Sequence, residues 1–474
     1  MDFSRKSQRI PSSFRDPSGF LFSRDGVLYR QINRQYKDHF DHLIQSGLYE
    51  TLVQQGLLIP HFEVDISPEE ESMAYKIIQP ELIHFISYPY EWCFSQLKDA
   101  ALATLKIQKQ ALDYNMFLKD ASAYNIQYHD GKPVLIDTLS FEIYKENQPW
   151  VAYRQFCQQF LAPLALIASK DIRLGQLMRI HIDGLPLDLV SELLPISTWL
   201  KPTTLTHIHL HAKAQKRYSN SYYSDGRDKS EGRFQRRKVS KNSLIALIHS
   251  LESAITSMRW HSTGTEWFNY YEDNNYSPKA MIHKKQLVED YLTQTNPSTV
   301  WDLGANTGVF SRIASAKGVD TIAFDADPAA VEKNYQQMRQ DKETKILPLC
   351  LDLANPSSSS GWANEERLSL LERGPADTVL ALALIHHLII SNNTPLNNVA
   401  AFLAKMCRFL IIEFIPKNDS QVQKLLHSRE DIFYNYTQEY FEKVFSHYFL
   451  FLKSRKLPDT LRIIYLMQRK CLIN

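Results

Sequence analysis

The sequence predicts two dissimilar halves, an α+β half followed by an α/β half built on a mostly parallel sheet. The chain has 474 residues, too many for one ordinary hydrophobic core, so two or three domains are expected. In the second half, apolar strand-like runs alternate with helical stretches, which is typical of a parallel sheet covered on both faces. Between the halves lies a basic stretch with almost no aliphatic side chains.

That basic stretch, residues 213–241, holds ten Lys and Arg against three Asp and Glu. It cannot bury enough apolar surface to offset its ordering entropy, so we expect an exposed linker or loop. The sequence therefore predicts a first domain over residues 1–212 and a second over residues 242–474.

In the first domain, residues 18–32 predict two short strands around a turn at Asp25-Gly26, and residues 34–57 predict a helix. Three further strand-like runs follow, HFEVD, AYKIIQPE and IHFISYP. A helix is expected at about 93–113, and residues 150–200 carry apolar groups at the three- and four-residue spacing of helices.

The second domain shows the regular alternation. Apolar runs predict strands at residues 299–302, 320–325, 345–351, 377–384, 408–414, about 445–452 and 461–467. Helices are expected between them at about 308–317, 328–338, 397–406 and 421–428. A short connection containing Pro458-Asp459 joins the last two strands, which predicts an antiparallel hairpin at one edge.

The first of these strands runs into the sequence TVWDLGANTG, which places Asp302 at the strand end and Gly304, Asn306 and Gly308 in the turn. Ligands bind doubly wound sheets beyond the carboxyl ends of the strands. Gly304 permits a backbone turn that would clash with a Cβ, and Gly308 lets the next helix start close to a ligand. Amides at that helix N-terminus suit carboxylate or phosphate oxygens.

Acidic residues also follow the next two strands. The second strand ends in AFDADP, with Asp325 at the tip, where a carboxylate can accept both ribose hydroxyls, and Asp327 just beyond. The third ends in LPLCLDLAN, where Asp352 can accept from an adenine amino group. NAD is the rival nucleotide, but the third glycine of its G-x-G-x-x-G motif is absent and the terminal hairpin does not suit it.

Over about residues 280–470 the sequence resembles the class I S-adenosylmethionine-dependent methyltransferases. DLGANTG matches the family's glycine-rich motif, AFDADP its acidic second-strand motif, and the seven strands with a terminal hairpin its fold. The resemblance implies that Asp302 and Gly304 line the methionine end of the cofactor, that Asp325 holds the ribose and that Asp352 holds the adenine.

The fourth strand ends in LALIHHLII, which places His386 and His387 beyond its carboxyl end. Methyl transfer mainly requires alignment of the nucleophile, and a base within hydrogen-bond reach helps a hydroxyl acceptor. Either histidine is a candidate base, and Glu413, at the end of FLIIEF, is another; the alternative is that all three are structural. Nucleic-acid amino methyltransferases usually carry Asn/Asp-Pro-Pro-aromatic here, whereas a histidine pair looks more like small-molecule enzymes.

An aromatic-rich segment precedes the second domain. Trp267, Tyr270, Tyr271 and Tyr276 are interpreted either as a lid over the acceptor or as part of a helix packed on the sheet edge.

The first domain carries a second candidate site, in FLKDASAYNIQYHDGKPVLIDTLSFE. Asp120, Asn125 and Asp137 can converge on Mg²⁺ and a triphosphate. Their spacing resembles protein-kinase-like phosphotransferases, including aminoglycoside kinases. The resemblance implies a two-lobed fold, with Asp120 orienting an acceptor hydroxyl and with Asn125 and Asp137 holding Mg²⁺ beside ATP.

The phosphotransferase pattern is incomplete. Lys119 replaces the usual residue before the catalytic Asp, and IDTLS lacks a glycine. No strand lysine is present; Arg30 is offered instead, with Glu50 as a possible helical partner. Alternatives are a degenerate fold that binds the acceptor, or a loop whose Asp and Asn side chains cap local backbone.

Composition constrains partners only weakly. The net charge of +2 and an ordinary apolar fraction of 44% give no general reason for nucleic-acid or membrane binding. The N-terminus has no apolar signal-type core and no stretch is long enough for a membrane span, so a cytoplasmic location is expected. The run RFQRRK at 233–238 can contact phosphate groups, which leaves RNA as a possible partner. Oligomeric state is not indicated.

Taken over most of its length, the chain also resembles bacterial methyltransferase-like proteins related to a nodulation protein. The leading hypothesis is a methyltransferase that acts on a small-molecule or carbohydrate-like acceptor, with a first domain that phosphorylates or docks this acceptor. The alternatives are an RNA methyltransferase anchored by the basic linker, or a non-catalytic cofactor-binding scaffold.

Overall fold

A computed structural model describes residues 7–216, 238–261, 276–427 and 430–470. The chain divides into two compact units, of which the first ends at His261 and the second begins after it. We call them the N-terminal unit and the C-terminal unit. Most of the predicted basic linker, residues 217–237, lies outside the described residues.

The N-terminal unit begins with a five-stranded antiparallel sheet in the order β1-β2-β3-β5-β4. Its strands are β1 Gln8–Arg9, β2 Gly19–Arg24, β3 Val27–Asn33, β4 His61–Val64 and β5 Ala74–Pro80. The predicted turn at Asp25-Gly26 joins β2 to β3, with positive φ at both residues. The helix expected over 34–57 is divided at Gly47, whose φ is +83°, into α1 Lys37–Gln45 and α2 Leu48–Gln54.

The rest of the unit is mainly helical around α3 Phe94–Asp113, close to the predicted 93–113. Two small two-stranded sheets follow, pairing β6 Met116–Leu118 with β9 Phe141–Ile143 and β7 Ile126–His129 with β8 Lys132–Leu135. Short helices complete it: α4 Tyr153–Phe156, α5 Ala162–Ser169, α6 Leu177–Ile180, α7 Leu187–Leu193 and α8 Pro202–Thr204. The unit is α+β, as predicted; its resemblance to phosphotransferases stays a prediction.

Helix α9 Lys241–Ser257 belongs to the N-terminal unit, whereas the sequence predicts a second domain that begins at residue 242. The helix packs against α3, and its apolar face, including Leu244 and Leu251, is buried. Lys98 of α3 also donates to the carbonyls of Thr256 and Met258 at 2.9 Å. Packing of this apolar face therefore assigns the helix to the N-terminal unit.

The C-terminal unit contains a seven-stranded sheet in the order β12-β11-β10-β13-β14-β16-β15. Its strands are β10 Thr299–Leu303, β11 Asp320–Asp325, β12 Ile346–Cys350, β13 Ala376–Ala381, β14 Cys407–Phe414, β15 Phe449–Lys456 and β16 Ile463–Arg469. The pairings among β10 to β14 are parallel, and β16 is antiparallel to both β14 and β15. The predicted α/β sheet and its terminal hairpin are therefore confirmed.

Six α-helices lie among the described residues of this unit, and Ser277, Asp327 and Thr437 form side-chain caps on three of them. The six helices are α10 Pro278–Thr295, α11 Ser311–Ser315, α12 Pro328–Asp341, α13 Leu396–Met406, α14 Ser420–His427 and α15 Gln438–Tyr448. Ser277 caps α10 by accepting the amide of Ala280, and each of α10 and α12 has a proline at its first position. Residues 445–448, expected in a strand, end α15, because Thr437 caps a helix whose apolar face includes Phe441 and Phe445.

Packing of α10 on one face of the sheet forms the core beside the site. Val288 and Leu292 of the helix are buried in one cluster with residues of β10, β13, β14 and β16, among them Val300 and Ile411. Because parallel neighbours point the same way, β10 to β14 all end at one edge of the sheet. The residues that follow these strands are therefore brought together there.

Candidate active site

The turn after β10 is tied to the neighbouring strand. The amides of Gly304 and Ala305 both donate to the carbonyl of Phe324 at 2.9 Å. Gly304, Asn306 and Gly308 have φ values of +74°, +50° and +79°, so the turn uses the left-handed region three times.

Gly308 is required for packing within the protein, and not for the approach of a ligand to the backbone. A Cβ added there would lie 2.6 Å from Asn334 Nδ2 and 2.7 Å from Arg312 Nη1. Arg312 Nη1 in turn donates to Asn334 Oδ1 at 2.9 Å and to the carbonyl of Thr307 at 2.7 Å. The glycine therefore makes room for a polar contact between the turn and α12, while Gly304 lines the cleft described below.

Asp302 is a buried carboxylate at the end of β10. Its side chain accepts a hydrogen bond from Ser311 Oγ at 2.6 Å. Burial raises the pKa of Asp302 to about 7, and the nearby Asp325 carboxylate adds to this rise. A cationic group bound beside Asp302 would favour its charged form.

The acids after the next two strands accept hydrogen bonds from nearby backbone amides. The two carboxylate oxygens of Asp325 accept the amides of Asn306 at 2.7 Å and Asp327 at 2.8 Å, and desolvation raises its pKa to about 6. Asp327 caps α12 through the amide of Ala329. Asp352 is exposed and accepts the amide of Ala354 at 2.8 Å. Each carboxylate oxygen of Asp325 still has lone-pair capacity for a hydroxyl donor.

A cleft of about 350 Å³, counting its solvent-open part, lies at this edge of the sheet. Its walls are the turn after β10, the start of α10 and the end of β13. The residues lining it are Tyr276, Met281, Lys284, Asp302, Gly304, Ala305, Asn306, Phe310, Leu382 and Ala383. Backbone amides, one carboxylate and apolar side chains therefore share one concave surface, as expected for a small-molecule site.

A buried polar cluster forms one wall of the cleft. Glu413, at the end of β14, is fully buried, and its two oxygens accept from Lys284 Nζ at 2.7 Å and Tyr276 Oη at 2.6 Å. Lys284 Nζ also donates to Tyr276 Oη at 2.9 Å. Burial lowers the pKa of Lys284, opposed by the Glu413 carboxylate. We call Tyr276, Lys284 and Glu413 the wall cluster.

The wall cluster holds the loop that carries the histidines. Glu413 Oε2 accepts the amide of Ala383, a non-glycine residue with φ of +51°, at 2.9 Å. With three donors on its carboxylate, Glu413 is placed to position this loop, and its role as a base stays a prediction. Arg462 extends the cluster, because its guanidinium lies 4.2 Å from the centre of the Tyr276 ring and is paired with Asp419.

His386 and His387 follow this loop, with ring centres 4.1 Å apart. His386 is buried, and its Nδ1 has no hydrogen-bond partner within the described residues. Burial holds the pKa of His386 well below its usual range, and His387, Arg462 and Lys284 lower it further. Burial lowers the pKa of His387 to about 4. Both imidazoles are therefore neutral near pH 7, and burial makes each a weaker proton acceptor than an exposed imidazole.

The aromatic segment is only partly described. Trp267, Tyr270 and Tyr271 lie outside the described residues, whereas Tyr276 precedes α10 and lines the cleft. The sequence did not predict Lys284 or Arg462 as part of the site. No sequence signal marks them, since a lysine on a helix and an arginine in a hairpin are ordinarily exposed.

The N-terminal unit does bring Asp120, Asn125 and Asp137 close together. Asn125 Nδ2 donates to Ser140 Oγ at 3.3 Å, and Ser140 Oγ donates to Asp137 Oδ2 at 2.7 Å. Burial, and then the nearby Asp137 carboxylate, raise the pKa of Asp120.

Asp120 and Asp137 also cap nearby backbone amides, which was the alternative to a metal-binding role. Asp120 Oδ1 accepts the amide of Ser122 at 3.0 Å, and Asp137 Oδ1 accepts the amide of Leu139 at the same distance. Arg30 pairs with Asp137 at 2.8 Å, and not with Glu50, which is exposed. Within the described residues no group of three or more His, Cys, Asp or Glu side chains is arranged to hold a metal ion.

The strand order of the C-terminal unit, with one antiparallel strand inserted beside the edge, defines the class I S-adenosylmethionine-dependent methyltransferase fold. The glycine turn after the first strand and the acids after the first three agree with it.

The chain belongs to the family of the nodulation protein NoeA of Rhizobium meliloti (strain 1021). The two sequences are 34% identical over 465 residues, which span 97% of this chain and 96% of NoeA.

Two more distant similarities accompany it. A stretch of 82 residues, 17% of this chain and 29% of the relative, is 30% identical to an rRNA adenine N-6-methyltransferase of Bacillus licheniformis. The crystal structure of magnesium protoporphyrin IX methyltransferase (ChlM) from Synechocystis PCC 6803 with bound SAH aligns with 43% of this chain and 93% of that chain, at 18% identity and a TM-score of 0.31. No family model matches the chain.

Among the described residues, no helix combines the length and the apolar character needed to cross a membrane.

Proposed function

We propose that this protein transfers the methyl group of S-adenosylmethionine to a hydroxyl of a small-molecule or carbohydrate-like acceptor. The observation that carries the proposal is the cleft at the carboxyl ends of the strands, where the buried Asp302 carboxylate lies beside the glycine turn. The residues present fit the cofactor: Asp302 suits its ammonium group, and Asp325 keeps lone pairs for ribose hydroxyls. When bound, the cofactor supplies an electrophilic methyl group.

The chain's own residues would bind the cofactor, orient the loop beside it and remove the proton of the acceptor's hydroxyl. Asp302, Gly304 and Asn306 would hold the cofactor in the cleft, and Asp352 would meet its adenine. The wall cluster orients the loop after β13 through the amide of Ala383. His386, whose Nδ1 has no hydrogen-bond partner among the described residues, would accept the acceptor's hydroxyl proton, with His387 as the second candidate.

Cofactor binding is tested by calorimetry with S-adenosylmethionine and S-adenosylhomocysteine. Asp302→Asn keeps the size of the side chain and removes its charge, so we expect S-adenosylmethionine to bind at least about tenfold more weakly. Asp341→Asn, an exposed acid at the end of α12, is the matched control and should bind as the wild type does. If all three proteins bound S-adenosylmethionine with equal affinity, Asp302 would not be part of the cofactor site.

The acceptor is tested by following transfer of labelled methyl groups to oligosaccharides, small hydroxylated molecules and RNA transcripts. A histidine pair at the end of the fourth strand and the balanced net charge favour the first two classes.

The RNA alternative is favoured by the similarity to an rRNA methyltransferase over 82 residues. It predicts binding that weakens steeply with salt and a smaller salt slope when Arg236, Arg237 and Lys238 are neutralised. Methylated RNA together with that salt response would establish it over the proposal.

For the N-terminal unit we propose acceptor docking rather than phosphorylation. Arg30 forms an ion pair with the carboxylate of Asp137, which a phosphotransferase would need as a metal ligand. A separately labelled ATP assay tests this, since transfer of phosphate from ATP to a methylatable acceptor would contradict it.

A further inference from the structure

A buried arginine lies among the acids of the N-terminal unit. Arg30, on β3, is 8% exposed. Its Nη1 lies 2.8 Å from Asp137 Oδ1 and its Nη2 lies 3.3 Å from Asp16 Oδ2. Asp16 precedes β2 and Asp137 follows β8, so one guanidinium joins three separate segments of the unit. We call Arg30, Asp16 and Asp137 the arginine clasp.

Every oxygen of Asp137 is already engaged by protein donors. Oδ1 accepts from Arg30 and from the amide of Leu139 at 3.0 Å, and Oδ2 accepts from Ser140 Oγ at 2.7 Å. The hydroxyl of Ser140 is itself the acceptor for Asn125 Nδ2 at 3.3 Å. Asn125 is therefore linked to Asp137 through the hydroxyl of Ser140.

Magnesium does not fit this arrangement. Mg²⁺ requires oxygen ligands at about 2.0–2.1 Å in near-octahedral geometry. A guanidinium in hydrogen-bond contact with the same carboxylate occupies one approach and repels a divalent ion, and arginine does not lose its proton in proteins.

A second cation accompanies the arginine. Lys119 Nζ donates to Ser18 Oγ at 2.6 Å and lies 3.6 Å from Asp16 Oδ1. Arg30 and Lys119 thus supply two positive charges to a group of three acids that also includes Asp120. Most of the charge that a metal would neutralise in this group is already balanced by the chain itself.

We infer that Arg30 is the resident cation of this acidic group and that the N-terminal unit takes neither Mg²⁺ nor a magnesium nucleotide. The group then acts as a structural clasp across the unit, independent of any metal. This inference does not depend on methyl transfer, because its readouts are metal and nucleotide binding.

The experiment uses the full chain and Mn²⁺, whose free ion is counted by electron paramagnetic resonance, with and without ATP. The wild type should leave the free Mn²⁺ signal equal to that of buffer, or of buffer with ATP. Arg30→Met should gain one site, and the site should disappear again in Arg30→Met/Asp137→Asn. Arg173→Met, which removes an exposed arginine paired with Asp171, should behave as the wild type.

Two results would overturn the inference. One is stoichiometric Mn²⁺ or Mn²⁺-ATP binding by the wild type that is lost in Asp137→Asn. The other is a folded Arg30→Met protein that gains no site, because the arginine would then not be what excludes the metal. If Arg30→Met does not fold, the comparison of wild type with Asp137→Asn decides alone.

Thermal unfolding gives an independent measurement. A ligand at about one hundred times its Kd would raise the Tm of a unit of this size by about 5–10 °C. Mg²⁺-ATP should leave the wild-type Tm unchanged, and Mg²⁺ should raise that of Arg30→Met. A rise in the wild type that vanishes in Asp137→Asn would contradict the clasp.

Discussion

Replacing Lys284 by methionine tests whether the wall cluster behaves as a buried ion pair. Methionine keeps most of the volume of the lysine stem but removes the ammonium group. Glu413 has no solvent exposure, and from the described part of the chain it then keeps the hydroxyl of Tyr276 and the amide of Ala383 as donors.

Breaking a buried ion pair on one side costs about 3–5 kcal/mol. Because two of the three donors to Glu413 survive, we expect the lower end of this range, about 3 kcal/mol of unfolding free energy. In the double variant Lys284→Met/Glu413→Gln no charge is left unpaired, so at least about 1 kcal/mol of that loss should be recovered.

The measurement must separate the two units. Hydrogen exchange of peptides from β13 and β14 reports the opening free energy of the C-terminal unit alone. The matched control is Lys285→Met, which changes the neighbouring, exposed lysine of the same helix and should cost less than about 0.5 kcal/mol. If the two single variants were equally stable, or the double variant were no better than Lys284→Met, the pair would not be what stabilises this wall.

Three further outcomes are expected. The pKa of Asp302 is raised to about 7, and a cationic ligand favours the charged carboxylate, so the affinity for S-adenosylmethionine should rise between pH 5.5 and 7 in calorimetry. Asp302→Asn should remove this rise. An affinity of the wild type that does not change with pH would contradict the assignment of Asp302 to the cofactor. In urea unfolding, Gly308→Ala should destabilise the C-terminal unit by about 1 kcal/mol more than Gly318→Ala. Both glycines have φ near +80°, but of the two only Gly308 lacks space for a Cβ. Equal losses of stability would show that Asn334 and Arg312 move aside freely. His386→Gln should lower the methyl-transfer rate at least about a hundredfold with unchanged S-adenosylhomocysteine affinity, whereas an unchanged rate would leave His387 as the candidate base.

The sequence predicted the parts of the site that depend on neighbouring residues. The turn after β10 needs small residues for its positive φ values, and TVWDLGANTG shows them beside the acid that ends the strand. Asp325 and Asp352 were predicted at their strand ends because the alternation of strands and helices implies that those ends meet at one edge. The strand over 445–452 was placed too early because aromatic residues suit a strand and an amphipathic helix equally well.

By itself, then, the sequence determined the α/β sheet, its terminal hairpin and the acids beyond its first three strands, because local chemistry and periodicity encode them. Only the tertiary structure decided what neighbours each charged group has. Lys284 and Glu413 are 129 residues apart, and their pairing is visible only once α10 is packed against β14. In the same way, folding places Arg30 on Asp137, a candidate metal ligand. Burial and charge pairing depend on contacts that no short stretch of sequence contains, and they determine what these ionisable side chains can do.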